Sequence, residues 1–233
     1  MVERPSTADS TRDEFLDALV PACAEVGVSL RPAEANLMWR HLHRVLEANR
    51  HTNLTRITAP VEAAVKHYAD SLALIPWARR MLGPDTGVLD VGTGAGFPAV
   101  PLAICCPTWQ VLAVDGTRKK SEFVSLAASE LGLTNLIAQH VRARELAGRV
   151  IPFDLVTCRA VGDPVSNAKE CRRLLTAGGW LVCYATPRTL DALTEARRRQ
   201  IERLGYGGTD RYDYHLSLGG KRLARTLAIW RRL

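Results

Sequence analysis

An α/β fold, with a doubly wound and mostly parallel sheet behind an N-terminal helical cap, is what this 233-residue sequence predicts. Three observations carry it. From Thr86 onward, apolar runs of strand length alternate with amphipathic stretches of helix length. The first run, Val88-Leu89, leads into Asp90-Val-Gly92-Thr-Gly94-Ala-Gly96 and then Phe97-Pro-Ala-Val-Pro-Leu-Ala-Ile104, which reads as a helix start. A strand, a glycine turn and a helix N-terminus with free N–H groups together form a nucleotide-type pocket. Upstream of Thr86 only helical periodicity occurs.

Residues 1–10 read as a frayed tail. Ser10 or Thr11 caps a first helix, with Asp13 and Glu14 at its positive end and Phe15, Leu16, Leu19 and Val20 as its apolar stripe. Pro21 is a point for a kink, and Gly27 ends it. Pro32 suits the first position of a second helix, in which Leu37, Met38, Leu42, Val45 and Leu46 recur as far as about Asn49. A third helix from near Pro60 carries Val61, Val65, Tyr68, Leu72 and Ile75. No Gly/Ser linker follows, so residues 1–85 are expected to pack as a cap on a core of 86–233. In the core, strands are expected at 87–91, 111–115, 136–140, 153–158, 180–184 and 223–230, with a weaker one at 212–218. Helices are expected at 97–106, 119–131, 163–175 and 190–204, giving right-handed crossovers between parallel strands. The last two strands have no helix between them and are expected to pair antiparallel through Gly219-Gly220.

Composition excludes several classes. With 47% apolar and 24% charged residues the chain reads as globular rather than disordered. The N-terminal residues lack the apolar run of a secretory signal, and no stretch approaches the ~20 apolar residues of a membrane span. A soluble, cytoplasmic protein is therefore expected. The six cysteines (23, 105, 106, 158, 171 and 183) form no C-x-x-C pair, so neither a zinc site nor a disulfide framework is suggested. Charge is uneven: residues 1–86 hold 10 basic and 11 acidic side chains, whereas 87–233 hold 21 and 13. A basic core that also carries the nucleotide-type turn suits a polyanionic substrate such as nucleic acid.

The glycine pattern is acidic-x-Gly-x-Gly-x-Gly rather than Gly-x-Gly-x-x-Gly, a spacing typical of S-adenosylmethionine pockets rather than NAD pockets. Asp115 ends the next apolar run, 23 positions after Gly92, where an acidic residue holds ribose hydroxyls in dinucleotide folds. A parallel sheet closed by one antiparallel hairpin is the seven-stranded methyltransferase variant of the Rossmann-like fold.

Further segments converge on one family. They are Asn53-Leu-Thr55, Lys66-His-Tyr-Ala-Asp-Ser-Leu72, Leu89-Asp-Val-Gly-Thr-Gly-Ala-Gly-Phe-Pro98, Val114-Asp115 with Lys119-Lys120, Glu130-Leu-Gly-Leu133, and Phe153-Asp-Leu-Val with Arg159-Ala-Val161. Over roughly residues 30 to 185 the chain resembles the bacterial small-subunit ribosomal RNA methyltransferase G family, once called glucose-inhibited division protein B. The resemblance implies a class I S-adenosylmethionine-dependent methyltransferase fold and N7 methylation of a guanine in the 530 loop of 16S rRNA. It also implies 16S rRNA or the 30S subunit as partner, with the enzyme a monomer. Two departures stand out. The family usually reads Arg-Ala-Glu after the third strand, whereas this chain reads Arg142-Ala143-Arg144-Glu145, and Ala99 replaces the glycine that tends to follow Gly-Phe-Pro.

Guanine N7 is unprotonated at neutral pH, so such an enzyme needs no general base; it aligns donor with acceptor and excludes water. Expected cofactor residues are Asp90, Gly92, Gly94, Gly96 and Phe97 at the methionine end, Asp115 at the ribose, and Ala143 and Arg144 at the adenine. Arg159 stands just past a strand end and is the candidate for the reaction centre. It either hydrogen-bonds guanine O6 or a phosphate, positions the methionine carboxylate, or forms a structural salt bridge. His67 and Asp70, three apart, either fix each other or contact RNA. Arg118, Lys119 and Lys120 flank the ribose and are RNA candidates, or simply a solvated helix start. Cys158 invites comparison with cytosine-C5 enzymes, but Thr157 stands where they place proline, so buried packing is the expectation. No metal is called for.

Overall fold

The structure, a computed structural model, describes residues 7–233. Helix α1 spans Thr7–Glu25 and α2 spans Pro32–Thr52. α1 already includes Ser10 and Thr11, which were expected as its caps; no Gly or Pro interrupts residues 7–11, so the helix runs on. The remainder of the expected tail, 1–6, lies outside the described residues. α2 opens on a capping box in which the Arg31 backbone N–H donates to Glu34 Oε2 at 2.7 Å, and it closes at Asn53, in the left-handed region at φ 48°. α3 (Pro60–Ala63) continues through a π-helical stretch, Ala64–Ala69, into α4 (Asp70–Leu72), and α5 (Ile75–Met81) completes the cap.

Seven strands follow: β1 Gly87–Val91, β2 Gln110–Asp115, β3 Leu136–His140, β4 Phe153–Arg159, β5 Leu175–Ala185, β6 Asp210–Leu218 and β7 Lys221–Arg231. Their order is β3-β2-β1-β4-β5-β7-β6, with β7 antiparallel to both β5 and β6 and every other pair parallel. Gly219 and Gly220 turn the β6–β7 hairpin at φ +56° and +73°, the positive pair that a tight two-residue turn demands. The expected antiparallel closure is therefore present. Between the strands lie α6 (Ala99–Cys105), α7 (Arg118–Leu131), α8 (Ala143–Leu146), α9 (Pro164–Cys171), α10 (Pro187–Asp191) and α11 (Glu195–Arg203).

Several boundaries differ from expectation. The helix expected at 163–175 ends at Cys171, and β5 begins at Leu175, five residues before the expected strand. An added Cβ at Gly179 would be crowded by Thr176 Oγ1 at 2.8 Å and by the Phe153 carbonyl at 3.1 Å, which favours glycine in a segment that reads as a turn yet starts the strand. The helix expected at 190–204 is two, because Thr194 restarts it by accepting from the Arg197 N–H. α6 begins two residues later than expected, since Gly96 to Pro98 belong to the turn.

Alternation along the strands divides two cores. Val88, Leu155, Leu227 and Ile229 face the cap with α6 and α7. Leu89, Val156, Ala228 and Trp230 face α8 to α11. In the cap, Phe15, Leu19, Met38, Leu42, Tyr68 and Leu72 are wholly buried in the first of these cores. Each such side chain contributes roughly 1.5–3 kcal/mol, which ties the cap to the sheet. Among the described residues no helix is long and apolar enough to cross a membrane.

Candidate active site

The glycine turn is pinned by β2: the N–H groups of Gly92 and Thr93 both donate to the Val114 carbonyl, at 2.8 and 3.1 Å. Gly92 and Gly96 have φ of +71° and +94°, and a Cβ on them would lie 2.3 Å from Val161 Cγ2 and 2.6 Å from Val100 Cγ2. Only glycine fits. Gly94, also at positive φ, has no atom nearer its missing Cβ than 3.9 Å and borders open space. Its N–H donates to Asp115 Oδ2 at 3.0 Å, while Thr117 N–H donates to Oδ1 at 2.8 Å. The carboxylate closing β2 is thus aimed at the turn.

Asp90 is fully buried; its Oδ1 accepts from the Thr157 hydroxyl at 2.9 Å. Its Oδ2 and the Thr93 hydroxyl are buried close to each other, with no well-aligned hydrogen bond to any other group among the described residues. Burial pushes the Asp90 carboxyl up to about 6, against the pull of the Thr93 and Thr157 hydroxyls, the Ala99 N–H and the Arg159 charge. The open space at Gly94, faced by the Asp115 carboxylate, is a cradle that a nucleoside bearing hydroxyl donors fills. The residues present therefore fit S-adenosylmethionine.

The cap closes over this turn. His41 on α2 donates from Nε2 to the Ala95 carbonyl at 3.0 Å, so its Nδ1 is the acceptor for the Tyr68 hydroxyl at 2.8 Å. Burial holds His41 down to about 3, and burial with the nearby Arg159 charge does the same for His67. His67 stacks on Phe97 with centroids 4.4 Å apart and pairs with Thr55 Oγ1 at 2.8 Å. It does not pair with Asp70, one of the two outcomes left open for that couple. Asp70 instead accepts from Arg159 Nε at 2.9 Å and from the Tyr214 hydroxyl at 2.8 Å. Arg159 also donates to the Lys66 carbonyl and lies 6.0 Å above the Phe97 ring. The π-helical stretch, a feature common at functional sites, carries Lys66 and His67 and ends directly at Asp70.

Beyond Arg159 the chain strains: Ala160 has φ +55°, unusual for a residue with a Cβ. A cleft of about 350 Å³ opens here at the carboxyl ends of β4 and β5, lined by Asp70, Arg159, Asn167, Tyr184, Thr186 and Arg225. Val161 joins it to Gly92, since that side chain lies where a Gly92 Cβ would be. A larger hollow of about 530 Å³, lined by Asp154, Trp180 and Arg231 among others, lies at the amino ends of β1 and β5. That is the wrong edge for ligands of such sheets.

The expected residues fall into three groups. Asp90, the three glycines and Asp115 converge, and Phe97, His67 and Arg159 form a second cluster against them. Ala143 begins α8 and is buried in the same core as Val91 and Val114. Arg144 and Glu145 beside it are both exposed. Arg118 and Lys119 are exposed at the start of α7, with Arg118 3.8 Å from Glu122. Cys158 is buried, and hydrogen bonding with Cys171 and Cys183, then burial, raises its pKa far above the ordinary thiol value. It is no nucleophile. Sequence reading missed His41, Tyr184, Tyr214 and Arg225. Only Thr157 had a usable signal, since it stands level with Asp90 once β1 and β4 are paired.

The family model for rRNA small subunit methyltransferase G matches residues 34–204. Proteins called ribosomal RNA small subunit methyltransferase G are similar to this chain. The Solibacter usitatus protein is 36% identical over 186 residues, covering 78% of this chain and 85% of its own. The Acidovorax protein is 37% identical over 177 residues, covering 72% and 77%. Among solved structures, the fold is similar to a precorrin-6y C5,15-methyltransferase from Geobacter metallireducens, with a TM-score of 0.52 at 17% identity over 70% of this chain and 87% of that one. It is also similar to the YcgJ protein of Bacillus subtilis, with a TM-score of 0.54 at 18% identity over 71% and 99%. At those identities the solved structures speak for the fold alone. With a seven-stranded sheet of this order, a glycine turn facing Asp115, and a family model spanning most of its length, the chain belongs to the rRNA small subunit methyltransferase G family.

Proposed function

We infer that this chain is an S-adenosylmethionine-dependent methyltransferase acting on N7 of a guanine in the 530 loop of 16S rRNA, as free RNA or in the 30S particle. It acts as a monomer in the cytoplasm, with a cap of 1–85 over a catalytic core of 86–233. The observation that carries this reading is the junction at Val161, where the glycine turn facing Asp115 meets the cleft beside Arg159. When bound, the cofactor supplies a methyl group already activated on a sulfonium.

The chain's own residues do the rest by placement. Asp115 faces the ribose, Asp90 and the turn from Gly92 through Gly96 with Phe97 enclose the methionine end, and Ala143 and Arg144 border the adenine. Arg159 stands between this pocket and the cleft. His67, held neutral and stacked on Phe97, closes the cap side against water. N7 has a free lone pair, so no residue has to remove a proton. The guanine ring gains positive charge on methylation, which a lone guanidinium nearby would oppose. Asp70 removes that opposition by pairing with Arg159 at 2.9 Å. Calorimetry with S-adenosylmethionine, followed by methyl transfer to 30S particles lacking the modification and mapping of the labelled nucleotide, tests the whole. Label in that guanine is expected; donor binding without label in any rRNA overturns the substrate.

A further inference from the structure

Asp70 faces two guanidinium groups. Arg159 takes its Oδ2, and Arg225 on β7 brings Nε to 3.6 Å from Oδ1. The Tyr214 hydroxyl occupies Oδ1 as well. One carboxylate thus stands against two permanent cations in a partly buried wall, with the Arg225 side chain 25% exposed. Its Nη1 donates only to the neighbouring Ala224 carbonyl, and Nη2 has no protein partner among the described residues. The lining of the cleft thus carries two guanidinium groups against one carboxylate, with Asp90 buried behind Arg159, and Arg225 keeps an unused guanidinium edge.

Resting on the RNA reading above, we propose that Arg225 is a substrate-binding residue that takes a backbone phosphate at the target nucleotide, with Asp70 as the residue that positions it. Charge selects the ligand. A phosphate cancels the surplus cation, whereas a neutral base edge leaves it in place beside a guanine ring that becomes cationic. Guanidinium also matches phosphate oxygens with paired N–H donors. The hairpin that closes the sheet, β6–β7, thereby acquires a role in holding the substrate strand. Neither the glycine turn nor the cap provides it.

The test measures binding of the full-length protein to unmodified 30S particles, without turnover, as salt is varied. Arg225→Gln is expected to weaken binding about tenfold near 0.1 M salt. It should also flatten the slope of log affinity against log salt by about 0.7–0.9, one phosphate's worth of released counterion. Arg225→Lys, which keeps the charge, is expected to retain the wild-type slope, and calorimetric affinity for S-adenosylmethionine is expected to stay unchanged in both. An Arg225→Gln slope equal to wild type overturns the proposal. Should Arg225→Gln lose cofactor binding, Arg225→Met, which keeps the stem without the charge, decides at intact cofactor affinity: a flattened slope supports the phosphate contact, and a wild-type slope refutes it. Failure of the wild-type protein to bind particles at all would instead sink the RNA reading itself.

Discussion

Acid should loosen this protein through His41, and the size of the effect follows from its burial. The ring is 0% exposed, and burial lowers its pKa to about 3 from 6.5. Between those values the unfolded chain binds a proton that the folded chain refuses, so lowering pH favours unfolding. At pH 5.5 the loss is about 1.4 kcal/mol relative to pH 7.5, growing by about 1.4 kcal/mol per further pH unit until pH nears 3. Asp90 works in the opposite direction. Its folded pKa is raised to about 6 from 3.8, so the folded state takes up a proton first and regains roughly 0.8 kcal/mol at pH 5.5. His41→Gln separates the two, because Asp90 and His67 remain in both proteins and largely cancel, the His41 charge being a smaller cause of the His67 shift than burial and Arg159. Urea unfolding of wild type and His41→Gln at both pH values gives the double difference. Wild type should lose about 1.4 kcal/mol more than the variant on acidification. Equal losses would mean that His41 takes up its proton while folded, and the seal between cap and glycine turn would be wrongly described.

Gly92→Ala, whose Cβ would meet Val161 at 2.3 Å, should reduce S-adenosylmethionine affinity by more than about tenfold in calorimetry, whereas Gly94→Ala, with nothing nearer than 3.9 Å, should cost only about 1–2 kcal/mol of backbone strain in urea unfolding. Asp115→Asn removes the charge and leaves either the Gly94 or the Thr117 N–H facing an amide NH2 in place of a carboxylate oxygen, so it should weaken S-adenosylmethionine binding about tenfold and also lower stability by about 1–3 kcal/mol in urea unfolding. Asp163 accepts from the Val165 N–H at 2.9 Å as the cap of α9, so Asp163→Ala should lower stability by about 1 kcal/mol and leave cofactor affinity alone.

What could be read in advance divides by how far apart the partners lie in the chain. The strand–glycine–helix unit from Gly87 to Cys105 is local: its pattern names the turn, and only positive φ at Gly92 and Gly96 remained to be seen. Asp115 belongs to the next strand of the same crossover and was equally legible. β5 was cut short because Thr176-Ala-Gly-Gly179 has turn composition, while its pairing with β4 and β7 overrides local preference. The 190–204 segment has one helical periodicity, and only the Thr194 side chain, turned onto the Arg197 N–H, divides it. His41 gave no signal, since a histidine among the apolar positions of α2 reads as ordinary packing until its ring meets Ala95, 54 positions away.

The cluster around Asp70 was hidden for the same reason, and its assembly gives the cap a role. Arg159 lies 89 positions from Asp70, and Tyr214 lies 144, so no window of sequence contains the trio. The core carries the positive excess, yet a guanidinium half-enclosed at the cleft needs a counter-charge of fixed geometry. A surface carboxylate cannot provide this; solvent and salt would screen it, and its side chain would wander. Asp70 is 5% exposed, held at one end by Arg159 and at the other by Tyr214 from the closing hairpin. Leaving Arg159 there without its partner would cost several kcal/mol as an uncompensated buried charge. The near-neutral cap is thus the part of the chain that lets a strongly basic core keep a guanidinium at the edge of its cleft.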